Sequence, residues 1–212
     1  MAVTVDLSAK ALLTEAEATA YLQGDEATEL SDTQKDNIRR LINGVSSTFE
    51  RMIDLPLIKQ DYTEIINAKG KLIIWLKNYP IDTDESGDPE IAVYTRSAHD
   101  EDWTEEDTDD YYVDTDTGRL EITGFGTYTG VATTKIEYTA GIGEQTRNEE
   151  TGELESVDID DDWRSMALQA VHYLHQKDLA SFSRVQEGVA IPASALPPLV
   201  REFLRLNKKA MI

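Results

Sequence analysis

Three groups of residues in this 212-residue sequence have types and spacings that could do chemistry. His172 and His175 lie three positions apart, a spacing at which two imidazoles on one helix can share a metal ion. Asp114 and Glu121 surround Gly118 in an order that partly matches a calcium-binding loop. The many Asp and Glu residues suggest a hydrolase with two carboxylates, which must be held about 5 Å or about 6.5–9.5 Å apart.

Each of these patterns is incomplete. His99 is the one other histidine and is remote in sequence, and the loop glycine falls at the fifth position instead of the sixth. Most acidic residues lie in polar runs such as residues 100–102 and 105–107, where solvent does not fix a catalytic geometry. Residues 124–130 are rich in glycine, but they lie between predicted antiparallel strands, which favours a hairpin over a phosphate-binding loop. There is no cysteine. We therefore predict a protein that is not an enzyme and has no metal or cofactor.

Negative charge is concentrated in one region. The chain has 41 acidic and 20 basic residues, and 26 of the acidic but only 4 of the basic residues lie between residues 82 and 162. Such a region repels phosphate, which argues against ordinary DNA binding, and it keeps the protein soluble. No apolar run is long enough for a membrane span, and the first residues do not form a signal peptide. We expect a protein that is made and kept in the cytoplasm, or carried in something assembled there.

The apolar positions predict four helices. The first two, at residues 12–23 and 31–53, each begin with a capping-box sequence, and the second has a long apolar stripe on one side. The third begins near residue 160, where three consecutive aspartates favour a helix N-terminus. The fourth begins at Pro197 and Pro198, which are tolerated in a first helical turn.

Between the second and third helices the apolar period changes to two, which is typical of strands. Strands are predicted at residues 61–66, 71–76, 91–95, 111–114, 119–123 and 131–138. The first two surround a turn at residues 68–70, and residues 115–118 form another turn. Short strands with frequent turns indicate an antiparallel sheet. Residues 141–156 contain five Glu and no long apolar run, so we predict an exposed, irregular insertion there.

A series of short segments occurs along nearly the whole chain in a recognisable order. They are a Leu-Thr-x-x-Glu-Ala helix, a long helix ending in Leu-Pro-Leu, Asp61-Tyr62-Thr63-Glu64, Asn78-Tyr79-Pro80-Ile81, Tyr111-Tyr112-Val113-Asp114, Gly118-Arg119-Leu120, Ile136-Glu137-Tyr138-Thr139-Ala140-Gly141, and a late helix with Arg201 and Arg205. In order and spacing the sequence resembles the head-to-tail connector (adaptor) family of long-tailed double-stranded DNA phages.

The resemblance implies an α+β protomer that is mainly helical, a bundle of long helices with an inserted small antiparallel β element. We expect N-terminal helices in residues 1–58, the β element with acidic loops in 59–141, an acidic insertion in 142–158, a third core helix in 159–180, and a linker with a C-terminal helix in 181–212.

The resemblance also implies a place in the virion neck. Twelve copies would form a ring beneath the portal protein, extend the DNA channel and dock a tail-side completion or stopper protein. Genomic DNA would pass through without specific binding, and no membrane would be involved. The competing hypotheses are an acidic DNA mimic that inhibits a host DNA-binding protein, and a carboxylate hydrolase.

Three sets of residues are candidates for these contacts. The portal contact is predicted on the last helix, at Leu199, Phe203, Leu206, Arg201, Arg205, Lys208 and Lys209. The alternative for that helix is that its apolar stripe packs on the protomer's own core. The ring interface is predicted at Arg39, Arg40 and Arg51 of the second helix. The channel lining is predicted at Asp100, Glu101, Asp102, Glu105, Glu106 and Asp107, because an acidic wall lets a duplex slide by repulsion.

Overall fold

The computed structural model describes residues 5–24, 29–67, 71–98, 101–124, 133–177 and 191–210. For residues 209 and 210 it describes the backbone but not the side chains. The chain divides into two compact units. We call Met1–Ile58 with Gly143–Ile212 the helical unit and Lys59–Ile142 the β unit.

The described residues form four α-helices and nine β-strands. The helices are α1 (Glu15–Gln23), α2 (Asp32–Ile53), α3 (Asp161–Gln176) and α4 (Pro198–Ala210). The strands are β1 (Gln60–Ile66), β2 (Ile73–Trp75), β3 (Ile91–Thr95), β4 (Thr104–Glu105), β5 (Tyr111–Asp114), β6 (Arg119–Ile122), β7 (Thr134–Ala140), β8 (Glu144–Arg147) and β9 (Leu154–Asp158).

Capping boxes begin the first two helices, as the sequence predicts. The hydroxyl of Thr14 accepts from the backbone N–H of Glu17 at 3.1 Å, and the Glu17 carboxylate accepts from the N–H of Thr14 at 2.8 Å. At α2 the side chain of Gln34 accepts from the N–H of Ser31 at 3.0 Å. These bonds satisfy N–H groups that have no partner inside the helix, so both helices begin at fixed residues.

The apolar stripe of α2 is the centre of the helical unit. Its buried members include Ile42, Val45 and Phe49, and α2 packs against α1, α3 and α4. Helix α3 contributes two small buried residues, Ala167 and Ala170, which allow neighbouring backbones to approach closely. Burial of a side chain as large as Phe49 is worth roughly 3–5 kcal/mol against alanine, so this stripe carries much of the unit's stability.

A second stripe of α2 is polar and holds the N-terminal segment, residues 5–12. We call its members, Asp36, Arg39, Asn43, Ser46 and Glu50, the polar stripe; they recur every three or four residues. Backbone N–H groups of the segment donate to Asp36 at 3.2 Å, to Asn43 at 2.9 Å and to Ser46 at 3.0 Å. Glu50 forms an ion pair with Lys10 at 2.7 Å. The stripe therefore supplies hydrogen-bond partners to a segment that is neither strand nor helix.

Two antiparallel sheets make up the β unit. One has the strand order β1-β7-β3-β4 and the other β2-β6-β5. Ile74, Val93, Leu120 and Ile136 are buried members of one apolar cluster that draws on both sheets. The first two strands are neighbours in sequence but do not pair with each other, because β1 pairs with β7 and β2 pairs with β6. Apolar alternation shows which side of a strand is buried, but it does not identify the neighbouring strand.

The predicted mainly helical bundle is wrong. Of the described residues 37% are helical and 26% are in strands, and they form three antiparallel sheets, so this is a β-rich α+β fold. The third sheet is the hairpin of β8 and β9, which lies where we predicted an irregular acidic insertion. Two polar side chains of β8 bind the N-terminal segment through hydrogen bonds. Gln145 donates to the carbonyl of Ala11 at 2.7 Å, and Arg147 donates to the carbonyl of Ser8 at 2.7 Å. Because these positions are polar, the hairpin lacks the apolar alternation from which a strand is predicted.

Removing one hydroxyl from the polar stripe tests how firmly the N-terminal segment is held. We expect Ser46→Ala to lower the free energy of unfolding by about 1–3 kcal/mol, because the buried N–H of Leu12 loses its acceptor. Urea denaturation measures this. Ser47→Ala is the matched control, since it makes the same change of helix propensity at the next residue; equal stability of the two variants would contradict the assignment.

Candidate functional site

Helix α4 has a buried side and an exposed apolar edge. Val200 and Leu204 are fully buried, and α4 packs on α2 and α3. Phe203 is half-buried, with its ring edge-to-face against Trp163 at a centroid distance of 4.8 Å. Leu199 and Leu206 remain 60% and 53% exposed. One side of the helix therefore packs on the protomer's own core, which was the alternative to a portal contact. Leu199 and Leu206 are not part of that packing.

The described basic residues of α4 are exposed to solvent. Arg201, Arg205 and Lys208 are exposed, and the side chain of Lys209 lies outside the described residues. Arg205 donates to Glu202 one turn earlier, at 2.8 Å, and this pairing raises the pKa of the Arg205 guanidinium. An exposed pair of this kind adds little stability, so these cations are available for an acidic partner surface.

The three arginines proposed for the ring interface have different surroundings. Arg39 forms an ion pair with Glu15 and donates to the carbonyl of Val5 at 3.1 Å. Arg51 is exposed and donates to the carbonyl of Ile191 at 3.1 Å. Arg40 is half-buried, and its Nε has no hydrogen-bond partner among the described residues. A ring contact through these residues stays a prediction. Arg40 is the member whose Nε could donate a hydrogen bond to a neighbouring copy, since it has no acceptor within the described chain.

The acidic residues proposed for the channel lining lie on and beside β4, an edge strand. Glu101, Asp102, Glu105 and Asp107 are exposed. Glu106 is half-buried and accepts from the hydroxyl of Thr95. Asp100 lies outside the described residues.

A tryptophan anchors this acidic segment. The guanidinium of Arg96 lies 4.1 Å from the ring centre of Trp103, and the ammonium of Lys135 lies 3.9 Å from the ring centre of Tyr94 and 5.8 Å from that of Trp103. The N–H of Glu106 also donates to the carbonyl of Val93 at 2.8 Å. Cation–π contacts of this type contribute about 0.5–2 kcal/mol each. The segment is therefore held against the sheet.

The residues first considered for chemistry do not assemble a reaction site. In the described ranges no group of three or more His, Asp or Glu could hold a metal ion. His172 packs edge-to-face against Tyr21, while burial and the neighbouring His172 lower the pKa of His175. Asp114 accepts from the backbone N–H of Thr117 at 3.3 Å, as in an ordinary turn. The glycine-rich residues 125–130 lie outside the described chain.

The sequence reasoning missed a buried hydrogen-bonded pair in the β unit. The hydroxyl of Tyr138 donates to Glu64 at 2.5 Å, and the same carboxylate accepts from the N–H of Lys77 at 2.8 Å. Burial and the contact with Glu64 raise the pKa of Tyr138 well above its usual range. The pair joins β1, β7 and the segment after β2. A Glu at an inward position of a strand was the available signal, because a buried carboxylate requires partners.

The sequence reasoning also missed an exposed aromatic face. Ile74, Leu120 and Val113 are paired across β2, β6 and β5 and are buried. Their chain neighbours therefore lie on the opposite side of the sheet. We call this side the outer face of the β2-β6-β5 sheet; its members are Ile73, Trp75, Arg119, Glu121, Tyr112 and Asp114. Trp75 and Tyr112 are 63% and 61% exposed.

Three described carboxylates of the β unit lie in an open depression, not in a closed cleft. The depression, of about 480 Å³, lies on the β1-β7-β3 sheet and has Asp61, Glu90 and Glu137 in its wall. A hydrolase requires its two carboxylates in an enclosed site. The exposed leucines of α4, the exposed aromatic face and the anchored acidic segment instead define a protein that acts through surface contacts.

Comparison with known proteins identifies the family. The family described as head completion protein matches residues 11–210, and the chain belongs to this family. This confirms the predicted resemblance to head-to-tail connectors. Completing a head is a structural task, which confirms the prediction that the chain is not an enzyme. No curated protein matches the chain.

Solved structures with a similar fold come from gene transfer agent (GTA) particles. A chain from the neck of an empty GTA particle, computed with C6 symmetry, is 13% identical with a TM-score of 0.53, covering 88% of this chain and 93% of that one. A chain from the neck of a native GTA particle, computed with C12 symmetry, is 14% identical with a TM-score of 0.52, covering 94% and 91%. A chain from the virion of a native GTA particle is 11% identical with a TM-score of 0.53, covering 88% and 93%.

The helices of the described residues are all too short or too polar to cross a membrane.

Replacing the anchor of the acidic segment should loosen it. We expect Trp103→Ala to remove about 1 kcal/mol of local stability, since the contacts with Arg96 and Lys135 are lost, and so to speed amide exchange in residues 101–110 about fivefold. Hydrogen–deuterium exchange with peptide resolution measures this. Trp75→Ala, which removes an exposed indole, is the matched control; unchanged exchange in both variants would contradict the anchoring role.

The Tyr138 phenol predicts a loss of stability in alkali. Unfolded tyrosines ionise near about pH 10, whereas the pKa of folded Tyr138 is raised. The stabilising contribution of this group is therefore complete below about pH 10 and falls as the pH rises further. Tyr138→Phe should reduce that fall in urea denaturation between about pH 9 and pH 11, and Tyr112→Phe is the exposed control. A wild-type pH dependence in the Tyr138→Phe variant would disprove the assignment.

Proposed function

We propose that this chain is a neck subunit of a virion, which forms a ring beneath the portal protein, extends the DNA channel and docks a tail-side completion or stopper protein. Membership of the head completion protein family is the observation that carries the proposal. Similar folds in the necks of GTA particles with C6 and C12 symmetry support a ring of identical copies, and the second supports twelve as their number.

The proposed portal contact is the exposed edge of α4. Leu199 and Leu206 lie two turns apart on one side of the helix, so they present one apolar ridge that a groove can accept. Exposed Arg201, Arg205 and Lys208 of the same helix can pair with acidic residues of the portal. Val200 and Leu204 are buried in the protomer's core and hold the helix in place. The exposed apolar edge, Leu199 and Leu206, is not covered by other described residues.

The proposed channel lining is the segment around β4. Its exposed carboxylates repel DNA phosphates, so a duplex can pass without being held. The Trp103 anchor supports this role, because an acidic wall that is fixed against a sheet does not collapse toward basic surfaces elsewhere. The DNA-mimic hypothesis uses the same charges, but family membership favours the neck.

Portal binding tests the proposal directly. We expect Leu206→Glu to weaken binding to the purified portal protein at least about tenfold, because loss of one buried apolar anchor from an interface costs about 1–2 kcal/mol or more. Biolayer interferometry with immobilised portal measures the affinity.

Ile65→Glu is the matched control for this experiment. Ile65 is 54% exposed and Leu206 53% exposed, so both substitutions add one carboxylate at an equally exposed aliphatic position. Equal affinity of the two folded variants and the wild type would contradict α4 as the portal contact. Failure of the wild-type chain to bind the portal at all would contradict the neck assignment.

A further inference from the structure

We propose that the outer face of the β2-β6-β5 sheet is the surface through which neighbouring copies of this chain contact one another. The inference rests on the proposed function, which requires a ring, and it assigns that ring a surface in the β unit. The occupant of the face is a second copy of the same chain.

The face exposes more large apolar surface than a strand surface in water requires. Ile73 is 41% exposed, and Trp75 and Tyr112 are 63% and 61% exposed. Tryptophan, tyrosine and arginine are the residues that most often dominate binding at interfaces. An exposed group of this kind marks a surface that is covered in the assembled state.

The charges at the centre of the face are already paired. Arg119 donates to Glu121 at 2.6 Å, and both lie on β6 between the apolar residues of β2 and β5. Identical copies with a formal net charge of −21 repel one another wherever unpaired carboxylates meet. Contact through the apolar residues around this neutral pair reduces the repulsion, which is why a copy of the chain can approach here.

The two margins of the face have opposite charge. Exposed Lys77 follows β2, whereas Asp114 and exposed Asp116 end β5. Strands β2 and β5 are the opposite edges of this sheet. A ring is built by head-to-tail contacts between two different patches of each subunit. The basic β2 margin of one copy and the acidic β5 margin of the next form such a complementary pair.

The face is also rigid before any contact forms. Buried Ile74, Leu120 and Val113 support it from the opposite side of the sheet. Leu76 N–H donates to the carbonyl of Gly118 at 2.9 Å, and Ile81 N–H to that of Thr115 at 2.9 Å, so the segment after β2 is fixed to the turn between β5 and β6. A preformed surface loses little conformational entropy on binding.

Site-specific photocrosslinking in assembled particles tests the inference. Trp75→p-benzoylphenylalanine places a photoreactive ring on the face, and Leu72→p-benzoylphenylalanine places one beside it, so that the test does not depend on a single tolerated position. After irradiation we expect a covalent dimer of this chain, with the attachment point near the β5 margin of the neighbour, identified by peptide mass spectrometry.

Ile65→p-benzoylphenylalanine is the matched control, because Ile65 is equally exposed on a strand of the other sheet. It should give no such dimer. Crosslinks from positions 72 and 75 to the portal or a tail protein, attachment at a distant part of the neighbouring copy, or no crosslink in particles that contain the chain would each overturn the inference. Absence of the wild-type chain from the particles is a different result, and it would contradict the proposed function itself.

Discussion

Most of the helical unit depends on one helix that uses two stripes at once. The apolar stripe of α2 packs against the other helices, and its polar stripe binds the N-terminal segment through Asp36, Asn43, Ser46 and Glu50. Thr48 and Arg51 of the same helix also hold the carbonyl of Ile191, where the chain approaches α4. A helix with partners on so many sides fixes residues 5–12 and the position from which α4 begins.

Electrostatic repulsion limits which surfaces of this protein can be used for contact. The excess negative charge lies between residues 82 and 162, and the described carboxylates of β4 and its flanks are exposed. A surface of that kind repels both DNA and other copies of the chain. Under the proposed function, contacts are expected where cations or paired charges interrupt it, as on the basic side of α4 and at the Arg119–Glu121 pair. Charge and apolar exposure together separate the surfaces proposed for contact from those that repel partners.

Local signals in the sequence predicted the beginnings of elements better than their partners. The capping boxes at Thr14 and Ser31 and the aspartates before α3 lie where predicted, because each depends on residues within one turn of helix. The pairing of β1 with β7 joins residues far apart in sequence, such as Glu64 and Ile136. The spacing of apolar residues within one strand does not indicate which strand pairs with it. The β8–β9 hairpin was missed because Gln145 and Arg147 serve as hydrogen-bond donors to the N-terminal segment, so polar residues occupy the positions where apolar alternation is expected.

The same distinction applies to the candidate site. The exposed edge of α4 follows from its helical period, although the period alone did not separate core residues such as Leu204 from the exposed Leu206. The outer face of the β2-β6-β5 sheet could not be derived in this way, since Trp75 and Tyr112 belong to strands that are joined only through β6. A three-residue strand such as β2, with its middle residue buried and both outer residues apolar and exposed, reads as a core strand in sequence. Its two-sided apolar character is the reason that we propose a neighbouring copy of the chain as the surface that covers it.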